Sequence, residues 1–409
     1  YQPADTCSDY DDGSVRHRFS SSIDALLSCV QTIGHMNLSK HQDYGWRGAW
    51  LAIRNRILAS PRFQRWAARS PLTRPIARAR AGELFDLVAG FVYSQILAAC
   101  IETDLLRHLA QDSLTVEQIG TRLDLPPEGV TRLLRAAQAL RLVESIGPAW
   151  TLGSAGAAMI GNPGIAEMVA HHRLLYADLA DPVSLLRSGG GGGRLARLWH
   201  YAQAPGLGED EAVAAYSALM AASQPLVARH VIDAYPFHRH RKLLDVGGGE
   251  GAFLAAVGAH APHLELALFD LPAVGARARV RLDAAGLAAR SHIHGGSFLT
   301  DPLPDGHDAI SLVRVLHDHD DAPAMILLRA VHAALPPGGT LVIAEPMAQT
   351  RGAEAAGDAY FGIYLLAMGS GRPRTSHEIH QMLRAVGFSK SREIPTTIPL
   401  TVRVITAMK

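Results

Sequence analysis

The 409-residue chain is poor in cysteine, and Cys7, Cys29 and Cys100 are so widely spaced that no pair stands at CxxC distance. That argues against a disulfide framework and a thiolate zinc site, and it fits a reducing cytoplasm. An excess of charge of one sign is also missing. With 39 Lys+Arg against 38 Asp+Glu the formal charge is +1, so no polyanionic partner follows from the global balance, and any charged surface must be local. No repeat of solenoid length is present. The chain opens on Tyr1 rather than Met and no signal-peptide pattern follows, which reads as a trimmed start or a fragment. An uninterrupted apolar span is lacking too: Leu84 to Ile101 has the length to cross a bilayer, but Asp86 and Gln95 break it, and it predicts a buried helix. The length allows two or three domains with a substantial core.

What is present changes in kind along the chain. Residues 1 to 45 are polar and aperiodic and predict a disordered or extended segment. Residues 46 to 82 form a basic amphipathic arm. Positions 47 to 82 hold nine arginines and no acid, with Trp50, Ile53, Ile57 and Leu58 at helical spacing and Phe63 and Trp66 beyond Pro61. Such an arm suits peripheral contact with an anionic surface, the inner membrane for a cytoplasmic protein, or packs its stripe on its own domain or a dimer partner.

Residues 83 to 152 read as a compact helical block. Within it LTVEQIGTRLDLPPEGVTRLLRAAQALRLVE (114 to 144) carries a Thr115 cap, a short helix, a turn at Pro126-Pro127 and a second helix burying Val130, Leu133, Leu134, Ala137 and Leu140. Trp150 to Leu152, after Gly147-Pro148, would form the wing of a winged helix. Arg132, Arg135 and Arg141 offer little for reading base edges, so no nucleic-acid partner is expected. Residues 153 to 235 continue as helices broken by the pentaglycine Gly189 to Gly193, read as a flexible surface loop. From 236 to 409 apolar strands alternate with helices. That grammar specifies an α/β, Rossmann-like fold with a mostly parallel sheet covered on both faces, finished by LTVRVITAMK (400 to 409) as part of an antiparallel strand pair.

The chemistry concentrates in that last region. LLDVGGGEG (243 to 251) is a strand running into a glycine turn and a helix start, where main chain can approach a ligand and free N–H groups face it. Asp270 follows 19 residues after Gly251, at a strand end where a carboxylate can accept both ribose hydroxyls. Together these point to a nucleoside-containing cofactor. Gly247-x-Gly249-x-x-Ala252 also satisfies a dinucleotide fingerprint, so the turn alone does not choose between a nicotinamide and another nucleoside. The cluster VRVLHDHDD (313 to 321) invites a metal, but no further His or Cys cluster supports one, and Asp318, Asp320 and Asp321 precede a helix whose first turn favours acids. No metal is expected. His171, His172, His238 and His240 read as structural or surface residues.

In combination, DVGGGEG, FDLP (269 to 272), GGSF (295 to 298), VLHDHDD and LPPGGTLVIAEP (335 to 346) resemble the class I S-adenosylmethionine O-methyltransferases of the caffeate type. The segments from Leu51 to Gln95 and YSALMAASQP (216 to 225) are similar to the bacterial hydroxyneurosporene and demethylspheroidene branch of carotenoid synthesis. The resemblance implies an S-adenosyl-L-methionine cofactor, a hydrophobic acceptor, a homodimer joined through a winged-helix domain at 83 to 152, an acceptor-pocket region at 153 to 235 and a methyltransferase domain at 236 to 409. It implies that Gly247 and Gly249 lie along the cofactor and that Asp270 holds its ribose. Ser297, where the family has an Asp, and Phe298 would border the adenine, and Arg314 takes the place of a lysine nearby. Met220 would border the acceptor, His317 would accept its proton, and Glu345 would orient the histidine. A second family acid has no counterpart, because Pro373 stands in its place. The alternatives are a methyltransferase of phenolic or polyketide acceptors and, in another class, a winged-helix regulator with a nucleoside ligand, which would not require His317.

Overall fold

A computed structural model describes residues 45–197 and 224–409. The expected disorder of the N-terminal segment, for residues 1–44, and the expected acceptor contact of Met220 lie outside the described residues. The chain divides into two compact units, Tyr1–Ser94 and Gln95–Lys409.

In the first unit the arm is helical over Gly45–Ala59 and Pro61–Arg69. Ser60 separates the two helices because its hydroxyl accepts from the Phe63 N–H and Pro61 cannot continue the preceding hydrogen-bond ladder. The Arg54 guanidinium lies 5.3 Å from the Trp50 ring centroid. A third helix, Arg74–Glu102, runs across the unit boundary. It corrects the expected buried helix, because Leu84, Phe85, Leu87, Val88 and Phe91 are all exposed, Leu87 by 81%. By length and mean hydropathy, 1.8, it is the one described helix able to cross a membrane. Hydrophobic periodicity fixes that a helix forms but not what covers it.

The second unit begins with the end of that helix. Cys100, Leu105, Leu106, Leu109, Ile119, Val130, Leu134, Ala137 and Val143 share one core. Thr115 and Gln118 form a reciprocal capping box that starts the helix Val116–Leu123. Pro127–Ala139 follows, burying Val130, Leu134 and Ala137. Strands β1 (Leu114–Thr115), β2 (Val143–Ile146) and β3 (Ala149–Leu152) make a small antiparallel sheet with β3 central. The pentaglycine differs from expectation. The Gly191 N–H donates to the Leu366 carbonyl at 3.1 Å, and a Cβ on Gly190 would stand 2.1 Å from that same oxygen. The run is therefore a surface loop pinned at Gly190 and Gly193, where a side chain would collide, while Gly189 and Gly192 have open space around them.

The large sheet contains β4 (Lys242–Val246), β5 (Glu265–Asp270), β6 (Ser291–Gly295), β7 (Ala309–Val313), β8 (Thr340–Glu345), β9 (Lys390–Ile394) and β10 (Arg403–Met408). Their order is β6-β5-β4-β7-β8-β10-β9. Strands β4 to β8 pair in parallel, while β10 is antiparallel to both β8 and β9. Period-two alternation sends Leu243 into the core on one face and Leu244 into the core on the other. From β4 the chain moves outward to β5 and β6, then returns to β7, so strand order reverses between β4 and β7. In open α/β sheets that reversal opens a crevice beyond the strands' carboxyl ends, where ligands bind.

Candidate active site

The glycine turn leaves the carboxyl end of β4 at the reversal. Gly247, Gly249 and Gly251 have φ of +69°, +59° and +74°, which only glycine adopts without strain. A Cβ on Gly247 would stand 2.9 Å from the Val315 side chain. Asp270, closing β5, accepts the Gly249 N–H at 2.8 Å on one oxygen and the Leu271 N–H at 2.7 Å on the other. Burial raises its pKa against those two bonds. A carboxylate has about four lone-pair sites, so Asp270 retains acceptor capacity after tying the turn to β5. Beneath the turn lies Asp245, which sequence reasoning passed over. It is 1% exposed, accepts Ser311 Oγ at 2.6 Å on Oδ1, and leaves Oδ2 without a partner among the described residues. Burial pushes it up to about 7. A Cβ on Gly248 would come within 2.4 Å of that oxygen. A concave, side-chain-free turn with an acid on each side fits a polar, nucleoside-bearing ligand. The visible signal for Asp245 was a single acid set among the apolar positions Leu243, Leu244 and Val246.

Beyond β6, the Ser297 N–H donates to Asp301 Oδ2 at 2.8 Å and its hydroxyl accepts the Leu299 N–H at 3.4 Å. Phe298 meets the His319 ring edge-on at 5.0 Å. Beyond β7, Arg314 takes a left-handed φ of +57° and its N–H donates to the Ala344 carbonyl at 2.8 Å, turning the chain out of the sheet. A single 3-10 turn, Leu316–Asp318, then carries His317.

His317 is 3% exposed and packs 5.8 Å from the Phe361 ring. The structure gives Glu345 a different hold on it from the one expected. Glu345 Oε2 accepts the main-chain N–H of His317 at 3.1 Å, so it anchors the turn and not the ring. Asp318 is the acid at the ring, with Oδ1 3.3 Å from His317 Nε2. The aspartates that looked like a helix start therefore divide. Asp320 stands at the N-cap position of the helix Asp321–Ala334 but spends its carboxylate on the Gly371 N–H, Asp321 pairs with Arg374, and Asp318 faces the imidazole. Burial, reinforced by Arg314, His319 and Arg374, pushes His317 down to about 3. Burial likewise raises Asp318 to about 7 and Glu345 to about 8. At neutral pH the ring is uncharged. Nε2 lies beside Asp318, and Nδ1 has no partner among the described residues.

Pro373, expected to mark a missing acid, sits inside a clamp. Ser370 Oγ donates to the Asp318 carbonyl at 2.8 Å and the Arg372 N–H donates to the His317 carbonyl at 2.9 Å. Arg374, wholly buried, donates to the Leu316 and His319 carbonyls, each at 2.8 Å, and to Asp321 Oδ1 through Nε and Nη2. This segment grips the histidine's turn from outside. Among the described residues no group of three or more His, Cys, Asp or Glu is arranged to hold a metal ion.

Comparison with known proteins adds descent to this geometry. Residues 174–389 match the O-methyltransferase domain, and residues 85–159 match the O-methyltransferase dimerisation domain. The demethylspheroidene O-methyltransferase of Cereibacter sphaeroides is 44% identical over 87% of this chain and 94% of its own. That of Rhodobacter capsulatus is 43% identical over 86% of this chain and 88% of its own. Human N-acetylserotonin methyltransferase, solved in complex with SAM, superposes with a TM-score of 0.68 at 22% identity, covering 81% of this chain and 97% of that one. The glycine turn, the acid closing β5 and the buried histidine beyond β7 thus sit in a chain that, on a match spanning more than half its length, belongs to the O-methyltransferase family.

Proposed function

We propose that the protein transfers the methyl group of S-adenosyl-L-methionine to a hydroxyl of a hydrophobic hydroxycarotenoid, of the hydroxyneurosporene or demethylspheroidene type, with His317 accepting the hydroxyl proton. The observation that carries this is a buried, neutral imidazole, with one ring nitrogen unpartnered among the described residues, at the carboxyl end of β7, beside the strand-order reversal. The bound cofactor supplies an activated methyl group. Gly247 and Gly249 admit it closely, Asp270 accepts its ribose hydroxyls, Ser297 and Phe298 border its adenine, and Arg314 stands nearby. Holding the acceptor oxygen in line with that methyl supplies most of the acceleration.

A base with so low a pKa still serves. As the carbon–oxygen bond forms, the hydroxyl oxygen becomes positive and its proton becomes strongly acidic, so a weak base at the right place can take it. Asp318, ionised at neutral pH in part, then faces the imidazolium that results. Likeness to two bacterial demethylspheroidene enzymes over most of their length supports the acceptor class. The exposed side of Arg74–Glu102, within the dimerisation match, supports a homodimer in which a second copy covers it. The arginine-rich arm at 47 to 82 supports peripheral contact with an anionic membrane, from which a lipid-dissolved acceptor is collected.

The deciding experiment incubates the protein with labelled S-adenosylmethionine and separate hydroxycarotenoids, phenols or buffer alone. Label in a hydroxycarotenoid is expected, and label only in phenols removes the carotenoid assignment. His317→Ala should lower turnover by about 100-fold or more at normal cofactor affinity. Flotation with anionic liposomes tests the arm: binding should drop once residues 1–82 are removed, and equal binding by both forms defeats the membrane role.

A further inference from the structure

Behind Phe361 stands a layer of polar aromatic residues that the chemistry above does not use. A π-helical turn, Ala355–Phe361, runs directly into the helix Gly362–Met368. Such wide turns are poorer in hydrogen-bond geometry than an α-helix and persist where surrounding contacts hold them. Here the contacts come from the helix Pro163–Asp178. His172 Nε2 lies 2.7 Å from the Tyr360 hydroxyl, and His171 Nε2 lies 3.0 Å from the Tyr364 hydroxyl. The two tyrosine rings stack 6.1 Å apart at 21°, and Tyr360 meets Phe361 edge-on at 5.0 Å. Phe361 in turn packs on the His317 ring. A continuous line of ring contacts therefore links two histidines, some 190 positions earlier than their tyrosine partners, to the proposed base.

Burial keeps both partners of each bond neutral. Burial lowers His171 to about 4 and also lowers His172, while it raises Tyr360 to about 12 and Tyr364 further. Near neutral pH each tyrosine keeps its proton and each imidazole is uncharged, so each pair is a neutral hydrogen bond whose donor is set by the imidazole tautomer. Neither pair is a general base for methyl transfer, since Phe361 stands between them and His317 and carries no proton. What the pairs can do is fix a turn that has little intrinsic preference for its shape.

We propose that Tyr360 and Tyr364, latched to His172 and His171, are positioning residues that hold the π-turn and the helix it runs into so that Phe361 braces the His317 imidazole. The latch rests on His317 being the proton acceptor, and it makes the helix Pro163–Asp178 part of the acceptor's setting rather than a linker. Packing alone would place a ring at Phe361. The two hydroxyl bonds choose where along the turn it stands.

The test uses Tyr360→Phe, Tyr364→Phe and the double variant of the full chain, each removing one oxygen per site and leaving ring volume intact. Turnover and KM for the acceptor are measured beside calorimetric affinity for S-adenosylmethionine and the unfolding temperature. The double variant is expected to keep cofactor affinity within about 2-fold and to lose roughly 10- to 100-fold in kcat, the scale of a small misplacement of a reacting group. His172→Gln, which keeps an acceptor for the Tyr360 hydroxyl, should retain activity that His172→Leu loses. In a His317→Ala background the double variant should cause no further loss. Wild-type kcat in the double variant overturns the latch, as does a loss that adds fully to that of His317→Ala or one matched by equal loss of cofactor affinity. A His317→Ala enzyme with wild-type turnover takes down base and latch together, whereas an inactive one beside a fully active tyrosine variant takes down the latch alone.

Discussion

Arg374→Lys should be among the most damaging conservative changes in this protein. The arginine side chain is fully buried and spends its donors on four bonds: Nε to Asp321 at 3.0 Å, Nη2 to Asp321 and to the His319 carbonyl at 2.8 Å each, and Nη1 to the Leu316 carbonyl at 2.8 Å. The two carbonyls flank His317 on either side, so one planar group staples the turn that presents the ring. An ammonium is a point donor on a shorter reach and cannot span both carbonyls and the carboxylate together. With Asp321 as its preferred partner, one or both carbonyls lose their donor, at about 1–3 kcal/mol each, and a desolvated charge is held less well. The sum is roughly 3–5 kcal/mol, a large share of a typical folding free energy of about 5–15 kcal/mol. Urea unfolding followed by circular dichroism measures it as a lower midpoint at unchanged slope. Surviving folded protein should turn over on the order of 100-fold more slowly, because the histidine's turn relaxes. A lysine variant within about 1 kcal/mol of wild type and with normal turnover would refute the staple.

Three further outcomes follow from the same contacts. Asp318→Asn keeps the shape beside His317 Nε2 but removes the charge that faces the imidazolium, so kcat should fall about 10-fold or more with cofactor affinity unchanged, and an unaltered kcat would return Asp318 to a purely structural place. Gly247→Ala imposes left-handed strain of about 1–2 kcal/mol and pushes on Val315, whereas Gly286→Ala, at φ +71° with open space around it, imposes the strain alone. Calorimetry should find weakened S-adenosylmethionine binding only in the first, and equal affinities would contradict the close approach at the turn. Glu345 is raised to about 8 in the fold against an ordinary value near 4.5, so its ionisation costs stability progressively as pH rises through that window. Glu345→Gln should therefore gain on wild type by roughly 3–4 kcal/mol between pH 5 and pH 8. Wild type alone would mask this, because His171, His317 and His319, all depressed by burial, lose stability in the opposite direction as pH falls below about 6.5. A pH-independent difference between variant and wild type would show that Glu345 ionises freely.

By itself the sequence determined what is local and periodic. Alternating strands and helices after residue 236 dictated a parallel sheet, and the glycine turn with Asp270 at its distance announced a nucleoside site, because the steric freedom of glycine and the reach of β5 are properties of short segments. His317 was singled out through the family resemblance of VLHDHDD, at a place just beyond a strand. Its partners were not legible. Asp318 is adjacent in sequence yet looked like a helix start, and only the 3-10 turn aims its carboxylate at the ring. Glu345 was expected at the imidazole, but strand β8 delivers it to the main chain. Arg374, His171, His172, Tyr360 and Tyr364 carry no local signal, since each matters through a partner more than 50 positions away. The long helix after the arm shows the same division: its periodicity was visible, but its exposure depends on which surfaces meet it. Local patterns set the elements because backbone sterics and side-chain period act over a few residues. The protonation states of the site were decided only by the tertiary structure, because desolvation comes from atoms that chain order does not bring together.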